Sequence, residues 1–345
     1  MNKKFKTIQA IIAMILVVIT VTSPVSIMAS PTDITELTEV SEQEIAEDSA
    51  LPDEKAYILY EDTDKREEST KYFRMSNGTV QAAQYSVPVH FEQNGEWVDY
   101  DNTLDEVDAD ESENSGKILK NKDLTNRTAD YSVRLSKKTN GKKFVRLEKD
   151  GYKISWYYKN ADKSTAEVKK NEADNDPTVL ENLTSAVTYK NVYKDTDFEY
   201  IIGSDGVKEN IILKSKKAPA EFTAEYKANG LTPVQADDKT IELQAADGTV
   251  IYTLTAPFME DAQGSTSVNI ILTLVGNKNN TFTVKTSLDS EWLNADDREY
   301  PVLVDPMLKT HQDANEVQSA FVSSQNPNKC YKAYQPYPLP QLLLR

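Results

Sequence analysis

Between Val187 and Leu213 apolar and polar residues alternate around a tight turn. Phe198, Tyr200 and Ile202 alternate with Asp197, Glu199 and Ile201, and after Gly203-Ser204-Asp205-Gly206 the chain returns through Val207 to Ile211, Ile212 and Leu213. Period two puts alternate side chains on one buried face, so the stretch predicts two β-strands. Asp205-Gly206 offers the positive φ of a hairpin turn. Asn77-Gly78, Asn94-Gly95, Asn140-Gly141, Asp150-Gly151 and Asp247-Gly248 lie between similar runs, each a hairpin signal. Thr103 to Thr128 is polar and acidic, and is expected to be a long loop. Val268 to Val275 breaks the alternation at Ile271 and Val275, which predicts a strand buried on both faces.

These elements predict an all-β chain of two antiparallel β-sandwich-like modules in tandem. Residues 65–165 form the first expected module and 181–306 the second. The polar run ending at Pro177 marks a linker over 166–180. Pro301 and Pro306 bracket Val302-Leu303-Val304, expected as an edge or exit strand.

The start changes the picture of location. Lys3, Lys4 and Lys6 precede an apolar run from Ile8 to Val21, and Ser26-Ile27-Met28-Ala29 follows. Residues 1–29 therefore read as a secretory signal cleaved between Ala29 and Ser30. The product is expected outside the cell, secreted or wall-associated, and not integral to the membrane after cleavage. Residues 30–64 read as a mobile acidic linker: positions 31–54 carry nine Asp or Glu and no Lys or Arg.

The formal net charge of −16 argues against a nucleic-acid partner, which needs a basic surface. A cell-wall or extracellular glycan is the partner class left open. Cys330 is the only cysteine, so no intrachain disulfide is expected. With two histidines, His90 and His311, in different blocks, no His/Cys zinc set is expected within either block, and no metal or cofactor is assigned. His90 alternates with Val89 and Phe91 and reads as a solvent-facing or satisfied histidine. Asp195, Asp197 and Glu199 share a strand face. They fit a glycosidase pair by spacing, and a solvated face by composition. Asp105 to Glu113 lacks the glycine and final glutamate of an EF-hand loop. Trp97, Trp156 and Trp292 sit in strand-like, apolar surroundings and are expected in cores. No catalytic residue is assigned.

Several runs are distinctive together. They are Tyr72-Phe73-Arg74-Met75-Ser76-Asn77-Gly78-Thr79, Val87-Pro88-Val89-His90-Phe91 with Trp97-Val98-Asp99-Tyr100, and Asp150-Gly151-Tyr152-Lys153-Ile154-Ser155-Trp156. Gly206 to Leu213, Ala256-Pro257-Phe258-Met259, Glu291-Trp292-Leu293-Asn294 and Tyr300 to Pro306 extend the set. From about Lys65 to Asn328 the chain resembles the N-terminal region of secreted bacterial RHS (YD)-repeat proteins, of the wall-associated and polymorphic-toxin type. Ala320 to Asn328 is similar to the opening of the DNRLRE module that follows in such proteins. The resemblance implies RHS repeats and often a toxin tip beyond it. After Asn328 the chain departs from the pattern, so residues 307–345 are expected to be a truncated module start with a disordered tail. The resulting expectation is a non-catalytic surface module for display, spacing or attachment, and not an enzyme. A carbohydrate-binding module is the alternative.

Overall fold

The computed structural model describes residues 56–108, 122–139, 144–169, 176–255, 257–278 and 280–305, with backbone strands also at Val17–Val21, Met307–Lys309, Ala320–Ser323 and Asn326–Lys332. The fold is all-β, in antiparallel sheets that build sandwich-like modules. Expected turns recur as hairpins. Asn94 and Gly95 both have positive φ (56° and 83°), as do Asp150 and Gly151 (50° and 81°), the geometry that lets a two-residue turn follow strand twist. Asn140-Gly141 lies outside the described residues, although its flanking strands Ser132–Ser136 and Val145–Lys149 pair directly.

One sheet has eight strands, in the order Ile271–Lys278, Thr281–Ser287, Glu221–Asn229, Tyr152–Tyr158, Val145–Lys149, Ser132–Ser136, Lys122–Thr128 and Asp101–Asp108. A second runs through Ala166–Lys169, Ser185–Tyr193, Thr196–Gly203 and Gly206–Leu213, and then through Met307–Lys309, Val250–Leu254, Ile241–Gln244 and Thr232–Gln235. The grouping of strands does not follow the expected linker: Tyr152–Tyr158 pairs with Glu221–Asn229, from opposite sides of it. Ala166–Lys169, inside the expected linker, is itself paired to Ser185–Tyr193. Burial wins over the local polarity that suggested a boundary.

The inner faces of these two sheets form one hydrophobic cluster. Val133, Leu135, Val145, Leu147, Ile154 and Trp156 meet Val187, Tyr189, Phe198, Tyr200, Ile202 and Ile211. Each fully buried apolar side chain stabilises by about 1.5–3 kcal/mol. Tyr hydroxyls cross between the sheets: Tyr189 donates to the Ser136 carbonyl at 2.7 Å and Tyr252 to that of Tyr152 at 3.0 Å.

A smaller cluster lies nearer the N-terminus. Ile58–Glu61, Thr70–Met75 and Val80–Gln84 form its sheet, joined by Val17–Val21, which comes from the apolar run expected as a signal. His90–Gln93 and Glu96–Asp99 form a separate hairpin. Phe73, Tyr85, Val89, Phe91, Tyr100 and Leu183 fill the core. Leu183 is buried there from just past the expected linker, and Tyr85 donates to the Thr178 carbonyl at 2.8 Å. Ordered structure thus begins before residue 65, and Glu61 belongs to it.

Two strand expectations change. Within Thr103–Thr128, Asp101–Asp108 and Lys122–Thr128 are paired strands, whose polar outer face hid the alternation. Ile271–Lys278 is an edge strand, not one buried on both faces: Ile271 is 50% exposed and Val275 52%. Its register shifts at Gly276. Val302–Val304, expected as an edge or exit strand, is paired on both sides, to Gly206–Leu213 and to Met259–Glu260, and so is not an edge.

Residues 311–345 form a separate unit, with Ala320–Ser323 paired to Asn326–Lys332. Ala320–Ser323 lies in the expected module start, and Asn326–Lys332 runs a few residues past Asn328, where the chain was expected to depart from the pattern; residues 333–345 lie outside the described residues, as does the Ala29–Ser30 cleavage site.

Candidate functional site

The most concentrated chemistry lies against the smaller cluster. Glu61 ends Ile58–Glu61, Lys71 lies on Thr70–Met75, and His90 and Asp99 are the opposite ends of their hairpin, paired across it. Arg66 comes from the loop after Ile58–Glu61. Four short strands and one loop thus bring two carboxylates, an imidazole, an ammonium and a guanidinium together.

Arg66 donates to Glu61 Oε1 at 2.7 Å, to Asp99 Oδ2 at 2.6 Å and to the Trp97 carbonyl at 3.2 Å. Lys71 Nζ donates to Glu61 Oε2 at 3.2 Å and also bonds Asp99 Oδ1. His90 is fully buried, and its Nδ1 lies 2.6 Å from the Glu67 carbonyl. A carbonyl only accepts, so Nδ1 carries the proton. Nε2 then faces Asp99 Oδ1 at 3.5 Å and Glu61 Oε1 at 3.8 Å, and makes no hydrogen bond. The Asp99 side chain is 46% exposed, so the cluster reaches solvent on that side.

Electrostatics follow from this packing. Burial alone would raise the Glu61 pKa; His90, Arg66 and Lys71 outweigh it and lower that pKa to about 2. Asp99 is likewise held well below the usual carboxylate range, burial opposing and His90 and Lys71 prevailing. The His90 pKa is raised, because the two carboxylates and the Glu67 carbonyl outweigh burial.

A second buried carboxylate sits between the large sheets. Glu209 accepts from the Tyr158 hydroxyl and, at 2.5 Å, from the Tyr200 hydroxyl. Trp156 Nε1 is buried without a hydrogen bond. Beside Glu209 lies a cavity of about 30 Å³, water-sized, lined by Trp156, Tyr158, Val207, Tyr226 and Leu254 among others. Tyr226 stacks between Trp156 (centroids 5.7 Å apart) and Phe282 (5.1 Å). Burial raises the Glu209 pKa, although the Tyr hydroxyls pull the other way.

The residues singled out from sequence fare differently. His90 is neither solvent-facing nor fully satisfied. Asp197 accepts from the Asn191 amide and Lys214, Glu199 from Asn210, and Asp195 from Ser215, so each is tied to its own neighbourhood rather than to a shared site. Trp156 is buried as expected, Trp97 is 38% exposed, and the Arg298 guanidinium lies 3.6 Å above the Trp292 ring. His311 lies outside the described residues. Sequence reasoning missed Glu61, Lys71, Asp99 and Glu209. For Glu209 a signal existed, since it shares parity with Val207, Ile211 and Leu213 on a core-facing strand.

Fold and site together define an all-β protein with an acid–base and cation cluster at a sheet margin. No family model matches the chain, and no solved structure matches it. Over 283 residues, 79% of its length, it is 22% identical to the tRNA3(Ser)-specific nuclease WapA of Bacillus spizizenii. The tRNA nuclease WapA of Bacillus subtilis and the tRNA(Glu)-specific nuclease WapA of its subspecies natto match to the same extent. The matched region spans 11% of the length of each of these relatives. This corrects the expectation of a non-catalytic display or glycan-binding module: all three relatives are named nucleases, which points toward enzymes.

Proposed function

We propose that this chain belongs to a toxin-like tRNA nuclease of the WapA kind and supplies part of its all-β region. The similarity over 283 residues to three proteins named as tRNA nucleases carries the reading. RNA cleavage needs a base, an acid and cations near the phosphate. Among the described residues, His90, Glu61 and Asp99 with Arg66 and Lys71 are the set that brings these types together. Trp97, exposed and 6.5 Å from the His90 ring, gives a base a face to stack on. With a formal charge of −16 on the chain, attraction for phosphate has to be local.

The location we propose is extracellular or at the cell wall. The basic start and apolar run support export, and no helix among the described residues is long and apolar enough to cross a membrane. The RHS-type assignment, with a DNRLRE-like module opening near Ala320, rests on the sequence runs above.

The test is incubation of the full chain with bulk tRNA, followed by gel analysis. Discrete cleavage that His90→Ala abolishes is the expected result. Intact tRNA with the wild-type chain, or cleavage undiminished in the variant, overturns the assignment of activity to this site.

A further inference from the structure

The geometry points to a binding site for a divalent transition-metal ion, of the Zn²⁺ type, at His90 Nε2, Glu61 Oε1 and Asp99 Oδ1. Four-coordinate zinc with bonds of about 2.0–2.1 Å places its donors roughly 3.3–3.4 Å apart. Here Nε2 lies 3.5 Å from Asp99 Oδ1 and 3.8 Å from Glu61 Oε1, and all three donor atoms fall within 4.8 Å of one another. The two His90 distances need to shorten by a few tenths of an ångström, and the two carboxylate oxygens must close on each other as well, to complete three of the four corners.

The imidazole is already set for this role. Its Nδ1–H is fixed on the Glu67 carbonyl, the arrangement that orients a metal-ligating histidine and leaves Nε2 with a free lone pair. That lone pair is fully buried, lacks a hydrogen bond and points at two carboxylates. With the imidazole neutral, three electron-rich atoms face one another, and the cation now held against two of them is the Lys71 ammonium. The donor set, one nitrogen and two carboxylate oxygens, suits zinc or manganese better than calcium, which prefers six or more oxygens. The half-exposed Asp99 side chain gives an ion and a water ligand a way in.

Lys71 is the built-in competitor. Its ammonium bonds the Asp99 oxygen that would ligate the ion, and it also reaches both Glu61 oxygens. With Arg66 it balances the two carboxylates, so the ion must displace the ammonium from Asp99 and share or take Glu61 Oε1 from the Arg66 Nε–H that bonds it at 2.7 Å. Lys71 therefore sets the affinity and His90 sets the choice of metal. This inference does not rest on the nuclease reading, because metal uptake is measured without RNA.

The experiment is a Zn²⁺ titration of the full chain carrying Cys330→Ser, in competition with a chromophoric chelator near neutral pH. The cysteine change removes the one thiol that would bind zinc elsewhere. One ion per chain is expected. His90→Gln should weaken binding at least about tenfold, and Lys71→Met should tighten it by about tenfold or more, since a like charge is removed within contact distance. Circular dichroism checks that each variant folds; where His90→Gln does not, the Lys71→Met arm decides. No uptake by either the parent chain or Lys71→Met overturns the proposal. Uptake unaffected by a folded His90→Gln does so as well. Binding that is unchanged or weaker in Lys71→Met overturns it too, because the ammonium would then not occupy the metal's position.

Discussion

Glu61 and Glu209 are both carboxylates withdrawn from water, and the chain treats them in opposite ways. Glu61 is surrounded by charge: Arg66 and Lys71 bond it directly, and His90 approaches from a third side. Glu209 has no cation against it in its bonds; two tyrosine hydroxyls hold it. Countercharge stabilises the ionised form strongly enough to overcome burial, whereas neutral donors do not. So one pKa falls and the other rises from the same starting value of 4.5. The small cluster thus keeps its charges fixed near a margin, and the large core carries one isolated acidic group deep between sheets.

The largest effect should come from breaking the charged arrangement. Lys71→Met leaves Glu61 and Asp99 without their shared ammonium. Losing one partner of a buried ion pair costs about 3–5 kcal/mol, and the half-exposed Asp99 places the expected loss near 3 kcal/mol. Urea unfolding measures it; a loss below about 1 kcal/mol would show that the network behaves like an exposed surface pair. Next comes Tyr200→Phe. Removing one of two hydroxyl donors from fully buried Glu209 should cost about 1–3 kcal/mol, read from the same unfolding curves.

The contrast is sharpest in its pH dependence. The Glu61 pKa is lower in the fold, so its contribution is present above 4.5 and disappears as the pH falls toward 2. Glu61→Gln should therefore be less stable than the parent at neutral pH, with the gap closing in acid. The Glu209 pKa is raised, so its cost is absent well below 4.5 and grows as the pH rises through the folded-state value. Glu209→Gln should gain on the parent at neutral pH, with no gain in acid. Thermal unfolding from about pH 3 to 8 reads both, each pKa unit being worth about 1.4 kcal/mol. Parallel slopes for the two variants would erase the distinction. Least affected should be the double variant Asp197→Asn, Glu199→Gln. Amide side chains still accept from Asn191 and Asn210, and losing the Lys214 ion pair costs less than about 1 kcal/mol in a denaturant titration.

How much of this was legible in the sequence follows from the range of each signal. Hairpins were legible because Asn94-Gly95 and Asp150-Gly151 act within a few residues. The all-β class followed from many such local signals. Which strands join was not legible, because Tyr152–Tyr158 meets Glu221–Asn229 only across a polar stretch that looks like a boundary. Asp101–Asp108 was hidden for another reason: at a sheet margin one face stays wet, and its acidic residues mask the alternation. The charge cluster was least legible. His90 stood out by its rarity, but Glu61 and Lys71 looked like ordinary charges, and only the fold brings them within reach of Asp99. Glu209 was readable in principle from its parity, since an acid on a core-facing position has to be explained.

The margins of the eight-stranded sheet differ in a way that bears on assembly. Ile271–Lys278 leaves Ile271 and Val275 open to solvent at one end, but its outer backbone edge is occupied: the Leu272 amide donates to the Asp238 carbonyl at 2.8 Å, the Leu274 amide to Gln235 Oε1 at 2.7 Å, and Gln235 Nε2 to the Leu272 carbonyl at 3.0 Å. Asp101–Asp108 closes the other end with Asp101, Asp105, Glu106 and Asp108. Open margins with apolar side chains invite another strand, and like charges refuse one. A second copy reaching Ile271–Lys278 would meet a ladder already capped by Gln235 and Asp238, and one reaching Asp101–Asp108 would meet a row of carboxylates. On this sheet neither margin offers a free ladder, so strand addition has no path to a growing ribbon.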